Sequence, residues 1–364
     1  MTNKCTLLID GNWLLISRFS VMKNLFDSNL PEETLRISTN KLKDMMARSI
    51  NVMLNKLPMV DNIIFISDGG SWRKQLDIPK QLGDITYKGN RDDEKPSDIS
   101  WNHVFKALNE LSKSCASQGI TTSHQFNIEG DDWVWYWSRR LNEQGINCII
   151  WSSDNDLKQL IQRKNGAFTA WYYERSGKSV IAFPDCMEIK NPEEGDMDFF
   201  MNPIQYKERL VEELERKVGK TSYVDPNTII TSKIICGDSG DNIKSVVRLK
   251  KNGRTYGVSQ KDWEKISGKL EVVTIQDLIE KSTDISKEIS VLKKFDNKIS
   301  QKDILEMIEY NIKLVWLNEQ VIPDTIIDVM NQQEYLQVDT DYFRGSYTSL
   351  LGEDDEIKDI FEGI

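Results

Sequence analysis

Three stretches of β-type sequence in this chain each run out onto an aspartate: Thr6 to Asp10 (TLLID), Asn62 to Asp68 (NIIFISD) and Ile146 to Asp154 (INCIIWSSD). Open α/β sheets bind ligands outside the carboxyl ends of their parallel strands, so three such endings aim carboxylates at one crevice. More acids lie close by in the chain: Glu129, Asp131 and Asp132 in IEGDD, Asp156 beside Asp154 in SSDND, and Asp238 and Asp241 in GDSGD. A single strand-end aspartate is ordinarily a turn former or a helix N-cap. Nine of them converging would repel one another and raise each other's pKa values, which calls for cations among them. Hard divalent ions take all-oxygen ligation, and the chemistry that suits such a set is two-metal hydrolysis of a phosphodiester.

The elements that must carry these residues alternate. Strand Thr6 to Asp10 is followed by a loop and an amphipathic helix near Glu33 to Leu57, whose Leu35, Leu42, Met46, Ile50, Met53 and Leu57 recur at helical spacing. Strand Asn62 to Asp68, a polar turn-rich segment (YKGNRDDEKPSD), a helix from about Asp98 to Ser114 and a short strand near Thr121 to Asn127 follow. The acids of IEGDD open a helix over Asp131 to Asn142, where its dipole favours negative charge, and strand Ile146 to Ser152 closes the set. This alternation predicts an α/β fold with a twisted, mostly parallel sheet flanked by helices over residues 1–184. Beyond about Pro184 the β signal fades, a charged helix is expected over Tyr206 to Val218, and helices near 227–236, 260–266, 274–281, 302–316 and 323–331 predict a smaller helical domain over 185–340, ahead of an acidic tail at 341–364. WVWYW, Trp133 to Trp137, is expected to pack in the core, because large aromatics at helical spacing face the sheet.

Composition excludes several classes. No apolar run approaches membrane length, and the start (MTNKCTLLID) enters a strand directly, so neither a membrane segment nor a secretory signal is expected and a cytoplasmic location is. Five scattered cysteines with no CxxC pair and two histidines argue against zinc and disulfides. The net charge of −10 opposes phosphate binding at first sight. The nine site acids account for all but one unit of that excess, and Glu353 to Glu362 carries six acids against one lysine, so the remainder is mildly basic.

Taken in order, LLIDGN, FISDGG, IEGDDW, WSSDNDL and ICGDSGDNI resemble the 5′ nuclease superfamily of flap endonucleases and phage 5′→3′ exonucleases over about residues 5 to 250. Further on, NIKLVWLNEQVIPDTIIDVMNQ looks like the C-terminal helices of the T-even phage ribonuclease H branch. The resemblance implies a PIN-like fold, with Asp10, Asp68, Glu129, Asp131 and Asp132 holding one metal ion and Asp154, Asp156, Asp238 and Asp241 a second. The ions implied are Mg²⁺, replaceable by Mn²⁺. It also sets YKGNR at the foot of a bridge over about residues 86–98, with Lys88 and Arg91 on the scissile phosphate and Tyr87 as a base-stacking platform. From the residues alone that run reads equally as a solvated turn.

After GDSGDNI the glycine spacing of a duplex-gripping hairpin with its K⁺ site is missing, but Arg248, Lys250, Lys251 and Arg254 offer charge for duplex phosphates. The tail places Ile357, Ile360, Phe361 and Ile364 at helical spacing, a candidate peptide for a sliding clamp or a single-strand-binding protein through residues 353–364. The expectation is a monomeric Mg²⁺-dependent 5′→3′ exonuclease and flap endonuclease with ribonuclease H activity, acting on branched or 5′-ended duplex DNA and RNA/DNA hybrids to remove lagging-strand primers. Two alternatives stay open: an inert nucleic-acid-binding scaffold, which would not need every acid, and a small-molecule phosphohydrolase, which would not need YKGNR or a large second domain.

Overall fold

A computed structural model describes residues 4–90, 95–175, 178–183, 187–191, 221–223, 225–251, 254–295 and 299–351. The chain divides into two compact units: residues 1–70, 96–224 and 328–364 form the first, residues 71–95 and 225–327 the second.

At the centre of the first unit lies β1 (Cys5–Asp10), paired in parallel with β2 (Asn62–Ile66) on one side and β4 (Asn147–Trp151) on the other. β3 (Thr121–Ser123) extends the sheet in parallel beyond β2, and β6 (Ala167–Arg175) does so beyond β4. β5 (Gln162–Lys164) folds back antiparallel on β6, and β7 (Lys178–Phe183), β8 (Met187–Lys190) and β9 (Thr221–Tyr223) continue antiparallel to the far edge. The mostly parallel character expected from the alternation holds at the core strands. Leu7, Ile9, Ile63, Phe65, Ile149 and Trp151 join one apolar cluster with α1 (Gly11–Met22), α2 (Glu32–Lys56) and α3 (Trp101–Ser117). α4 (Gly130–Glu143) packs on β1, β4 and β6 through the residues that the pleat turns the other way. Trp133, Trp135, Tyr136 and Trp137 are all buried there, and the Trp137 indole Nε1 donates to Ser123 Oγ at 2.8 Å, so the aromatic run is core.

Helix α1 and the strands that follow β4 escaped the periodicity reading. α1 was expected as a loop, because its run GNWLLISRFSVM is apolar on more than one side; Leu14, Leu15, Phe19 and Met22 are buried against the sheet and α2. The β5–β6 hairpin turns on Asn165 and Gly166, both at positive φ (53° and 79°), which is the Asn-Gly hairpin signature and was legible.

Helices dominate the second unit: α5 (Pro226–Cys236), α6 (Gln260–Leu270), α7 (Ile275–Glu280), α8 (Ser282–Ser290) and α9 (Gln301–Val315), with a ribbon of β10 (Leu249–Lys251) and β11 (Arg254–Tyr256). Side-chain cues start two of its helices where the sequence places them, Ser259 and Thr274 each forming a capping box, with Asp262 and Asp277, whereas α8 has no side-chain cap and was not expected. The buried Asn311 amide donates to the Ile234 carbonyl at 2.7 Å and the Lys244 carbonyl at 2.9 Å, tying α9 to the end of α5. The expected domain limits at 184/185 and 340/341 are therefore corrected. β8 and β9 belong to the sheet although they lie past 184, residues 71–90 belong with the later helices, and 328–351 return to the first unit. Strands of three or four residues carry too little alternation to be read locally, and unit membership is set by contacts distant in sequence. The helix expected over Tyr206 to Val218 and the tail 353–364 lie outside the described residues. No helix among the described residues is long and apolar enough to cross a membrane.

The returning segment is held by α11 (Thr340–Gly345), which follows α10 (Asp324–Asn331). Arg344 donates to the carbonyls of Leu54 (3.1 Å), Leu57 (3.1 Å) and Val60 (2.6 Å), covering the carbonyls that the end of α2 leaves open. Arg344→Ala should lower unfolding stability by about 2 kcal/mol, since several charge-assisted hydrogen bonds are lost together. The urea midpoint should fall with an unchanged m-value.

Candidate metal centre

Asp10 closes β1 and serves as the N-cap of α1: one carboxylate oxygen accepts the Trp13 amide at 2.9 Å and the other accepts the Ser152 hydroxyl at 2.6 Å. Ser152 stands one residue past β4, is fully buried, and with the same Oγ accepts the Asp154 amide at 3.0 Å. One hydroxyl thus locks the end of β1 to the end of β4. Asp154 in turn accepts the Asp156 amide at 2.8 Å. On the other side Asp68, two residues past β2, donates its amide to Asn12 Oδ1 at 2.9 Å and accepts the Gly130 amide at 2.6 Å, which seats its carboxylate on the first turn of α4. Gly130 leaves no room for more: a Cβ there would lie 2.9 Å from Asp68 Oδ1. Glu129 and Asp132, both buried, form the capping box of α4, the Glu129 amide donating to Asp132 Oδ2 at 3.3 Å, with Asp131 between them in the first turn.

The electrostatics of this edge follow from its geometry. The Asp10 carboxyl is pushed up to about 7, chiefly because burial disfavours its charge, while the hydrogen bonds from Ser152 and Trp13 pull it down and the negative charges of Asp68 and Asp154 add to the rise. Seven of the nine acids, Asp10, Asp68, Glu129, Asp131, Asp132, Asp154 and Asp156, therefore sit at the carboxyl ends of β1–β4 and the start of α4 in the first unit. Among the described residues no three His, Cys, Asp or Glu side chains are grouped closely enough to hold an ion by themselves. Asp68 and Asp154 are near enough to Asp10 for their charges to oppose its ionisation. Sequence reading missed Asn12 and Ser152, whose signal was their place beside the acids in IDGN and SSD.

Asp238 and Asp241 lie in the second unit, in the loop that leaves α5 through Gly237 at φ 84°. A Cβ at Gly237 would meet the Ile243 carbonyl oxygen at 2.6 Å, so the tight turn requires glycine. The loop closes on itself: the Asp238 amide donates to the Ile243 carbonyl at 2.8 Å and the Ile243 amide returns to Asp238 at 2.7 Å. The Asp238 carboxylate takes the Lys233 ammonium at 2.5 Å and the Gly240 amide at 2.8 Å. Three links join this loop to the YKGN turn. The Lys88 amide donates to the Asp241 carbonyl at 2.9 Å, the Lys88 ammonium stands 3.9 Å from the Asp241 carboxylate, and Asn242 Nδ2 donates to the Thr86 carbonyl at 2.9 Å. Lys88 takes φ 54° to do so.

Tyr87 is corrected. It is buried in the core of the second unit among Leu82, Ile230 and Ile234, with the Lys88 ammonium 4.9 Å from its ring centre, and a ring so enclosed has no face free for a base. Its neighbourhood with basic residues in sequence hid the packing. Arg91 lies outside the described residues. Arg248, Lys250 and Arg254 are exposed, the latter two on the β10–β11 ribbon, where the Lys251 backbone pairs with Arg254; the basic stretch is thus an ordered ribbon, not a loop.

Comparison with known proteins bears on this arrangement. Residues 5–187 match the family model described as 5'-3' exonuclease, N-terminal resolvase-like domain. A 5'-3' exonuclease of Mycoplasmopsis pulmonis (strain UAB CTIP) is 28% identical over 270 residues, 73% of this chain and 70% of that protein. Among solved structures, the T5 D15 protein co-crystallized with metal ions has a TM-score of 0.53 at 15% identity, over 95% of this chain and 99% of that one. A variant of the bacteriophage T5 D15 flap endonuclease, in a pseudo-enzyme-product complex with DNA and metal ions, gives 0.52 at 16% identity over 95% and 99%. At these identities the structures show a shared fold.

Because the folded pKa of Asp10 lies above the ordinary carboxylate value of about 4, the folded state holds its proton more tightly than the unfolded chain does. Its stabilising contribution is complete below about pH 4 and is lost as pH rises through about 7. In EDTA, Asp10→Asn should remove this slope and exceed the wild type at pH 8 by on the order of 2 kcal/mol, read by urea denaturation at pH 5 and pH 8.

Proposed function

We propose that this chain, which belongs to the 5′-3′ exonuclease family through residues 5–187, is a divalent-metal-dependent 5′→3′ exonuclease and flap endonuclease. Its class of chemistry, phosphodiester hydrolysis, follows from that membership. The observation that carries the metal assignment is the edge at β1, β2 and β4, where Asp10, Asp68 and Asp154 are near enough for the latter two to oppose ionisation of the first. Divalent ions there, Mg²⁺ in the first place and Mn²⁺ as a substitute, would supply a water of lowered pKa and neutralise charge on the phosphate. Around them the chain's own groups do the positioning. Ser152 and the Trp13 amide hold Asp10, the Gly130 amide holds Asp68, and the Asp156 amide holds Asp154, so little reorganisation is needed when a cation arrives.

Within the second unit, Lys88 is the proposed contact to the scissile phosphate. Its ammonium stands beside Asp241 and over Tyr87, a setting from which an anionic phosphate could draw it. Asp238 and Asp241 are proposed as further ligands, and Arg91 as a second phosphate contact. Arg248, Lys250, Lys251 and Arg254 are proposed to meet duplex phosphates. The substrates are then branched or 5′-ended duplex DNA and RNA/DNA hybrids. DNA in the complex of the T5 D15 variant supports the nucleic-acid class. Ribonuclease H action on lagging-strand primers, and recruitment of a clamp or single-strand-binding protein through residues 353–364, extend this reading.

A 5′-labelled RNA/DNA flap should be cut in Mg²⁺ and left whole in EDTA. Asp68→Asn and Asp156→Asn should each lower single-turnover cleavage at least about 100-fold, the scale of several kcal/mol of transition-state stabilisation, with little change in melting temperature. Near-wild-type cleavage by both variants would remove the site assignment. Lys88→Ala should slow cleavage of bound substrate about 100-fold and weaken duplex binding much less.

A further inference from the structure

We infer that Phe126 is the nucleobase-stacking residue of this protein, receiving the base of a nucleotide that flanks the scissile phosphate; the inference rests on the nuclease reading above. Phe126 is 83% exposed, more than any other large hydrophobic side chain among the described residues. It stands three residues past the end of β3 and three before Glu129, on the edge that carries the acids. A phenyl ring exposed beside the candidate site can offer its face to a base.

The loop that displays it is firmly attached beside Asp68. The Ser67 amide donates to the Ser123 carbonyl at 3.0 Å, and Ser67 Oγ lies 3.1 Å from His124 Nδ1. The Gly69 amide donates to the Ile128 carbonyl at 2.9 Å, and the Asn127 amide returns to the Gly69 carbonyl at 2.7 Å. Gly69 approaches so closely that a Cβ would lie 1.8 Å from the Gln125 carbonyl oxygen. Asn127, at φ 67°, turns the chain between the ring and Glu129. Positions on both sides of Phe126 are thus fastened to the residues flanking Asp68, while the ring itself is left in solvent.

That combination suits a base more than a protein partner. Its sequence neighbours His124 and Gln125 are polar and exposed, whereas a protein hot spot needs an apolar surround that excludes water. Stacking needs a single π face, tolerates any base, and gains from a platform whose backbone is already ordered. Asp68, bonded to Gly130 four residues along from Phe126, places that platform next to a proposed metal ligand.

The test uses the full chain and a 5′-flapped duplex with 2-aminopurine at each nucleotide flanking the cut, in turn. Wild type should quench the probe at one of these positions in EDTA. Phe126→Ala should lose the quench and bind about tenfold more weakly, and Phe126→Trp should restore both. An abasic nucleotide at that position should erase the difference between wild type and Phe126→Ala. The inference is overturned if Phe126→Ala quenches and binds as wild type does, if the abasic substrate weakens both proteins equally, or if Phe126→Ala and Phe126→Trp share a lowered melting temperature. Cleavage of the same flap by wild type in Mg²⁺ or Mn²⁺ tests the underlying nuclease reading separately: its failure with an intact quench removes that reading and leaves the contact standing.

Discussion

Everything at the candidate centre depends on holding like charges side by side at the ends of adjacent strands. Neighbouring strands run about 4.8 Å apart, so parallel pairing of β1 with β2 and β4 brings the acids that follow them into mutual repulsion. In the first unit, uncharged donors meet several of these carboxylates. Ser152, the amides of Trp13, Gly130 and Asp156, and the capping box of Glu129 and Asp132 each satisfy a carboxylate oxygen without neutralising it. In the second unit the Lys233 and Lys88 ammonium groups face Asp238 and Asp241.

Such an edge must be carried by a stiff scaffold, and the first unit obtains it from chain segments far apart in sequence. Arg344 reaches back to the carbonyls after α2, Asn62 Nδ2 donates to the Leu336 carbonyl at 2.9 Å, and the Thr6 and Tyr335 hydroxyls pair at 2.9 Å. The last described residues of the chain thereby brace β1 and β2, whose ends carry Asp10 and Asp68. Loss of this bracing would act on the site through strand position, not through any ligand.

Order is also imposed on the parts that would meet substrate. The GDSGDNI loop is closed by its own backbone and stitched to the YKGN turn by Lys88 and Asn242, and the β3–α4 loop is fastened to Gly69. Residues displayed from such loops lose little conformational entropy on binding. The two aromatic residues considered for stacking separate on this ground: Tyr87 is used up as core, and Phe126 is presented.

Legibility in the sequence followed the range of the interactions involved. Apolar runs ending on Asp10, Asp68 and Asp154, the helix over 32–56, the capped helices of the second unit and the buried WVWYW were readable, because strand and helix periodicity and capping are local properties. The donors Ser152 and Asn12, the burial of Tyr87, the exposure of Phe126 and the membership of 71–90 with residues beyond 225 were not. Each depends on which distant segment packs against the residue. By itself the sequence determined which residue types could do chemistry and on which strand ends they stand. Tertiary structure alone decided which of them are enclosed and which face solvent, because burial is a property of neighbours in space and not along the chain.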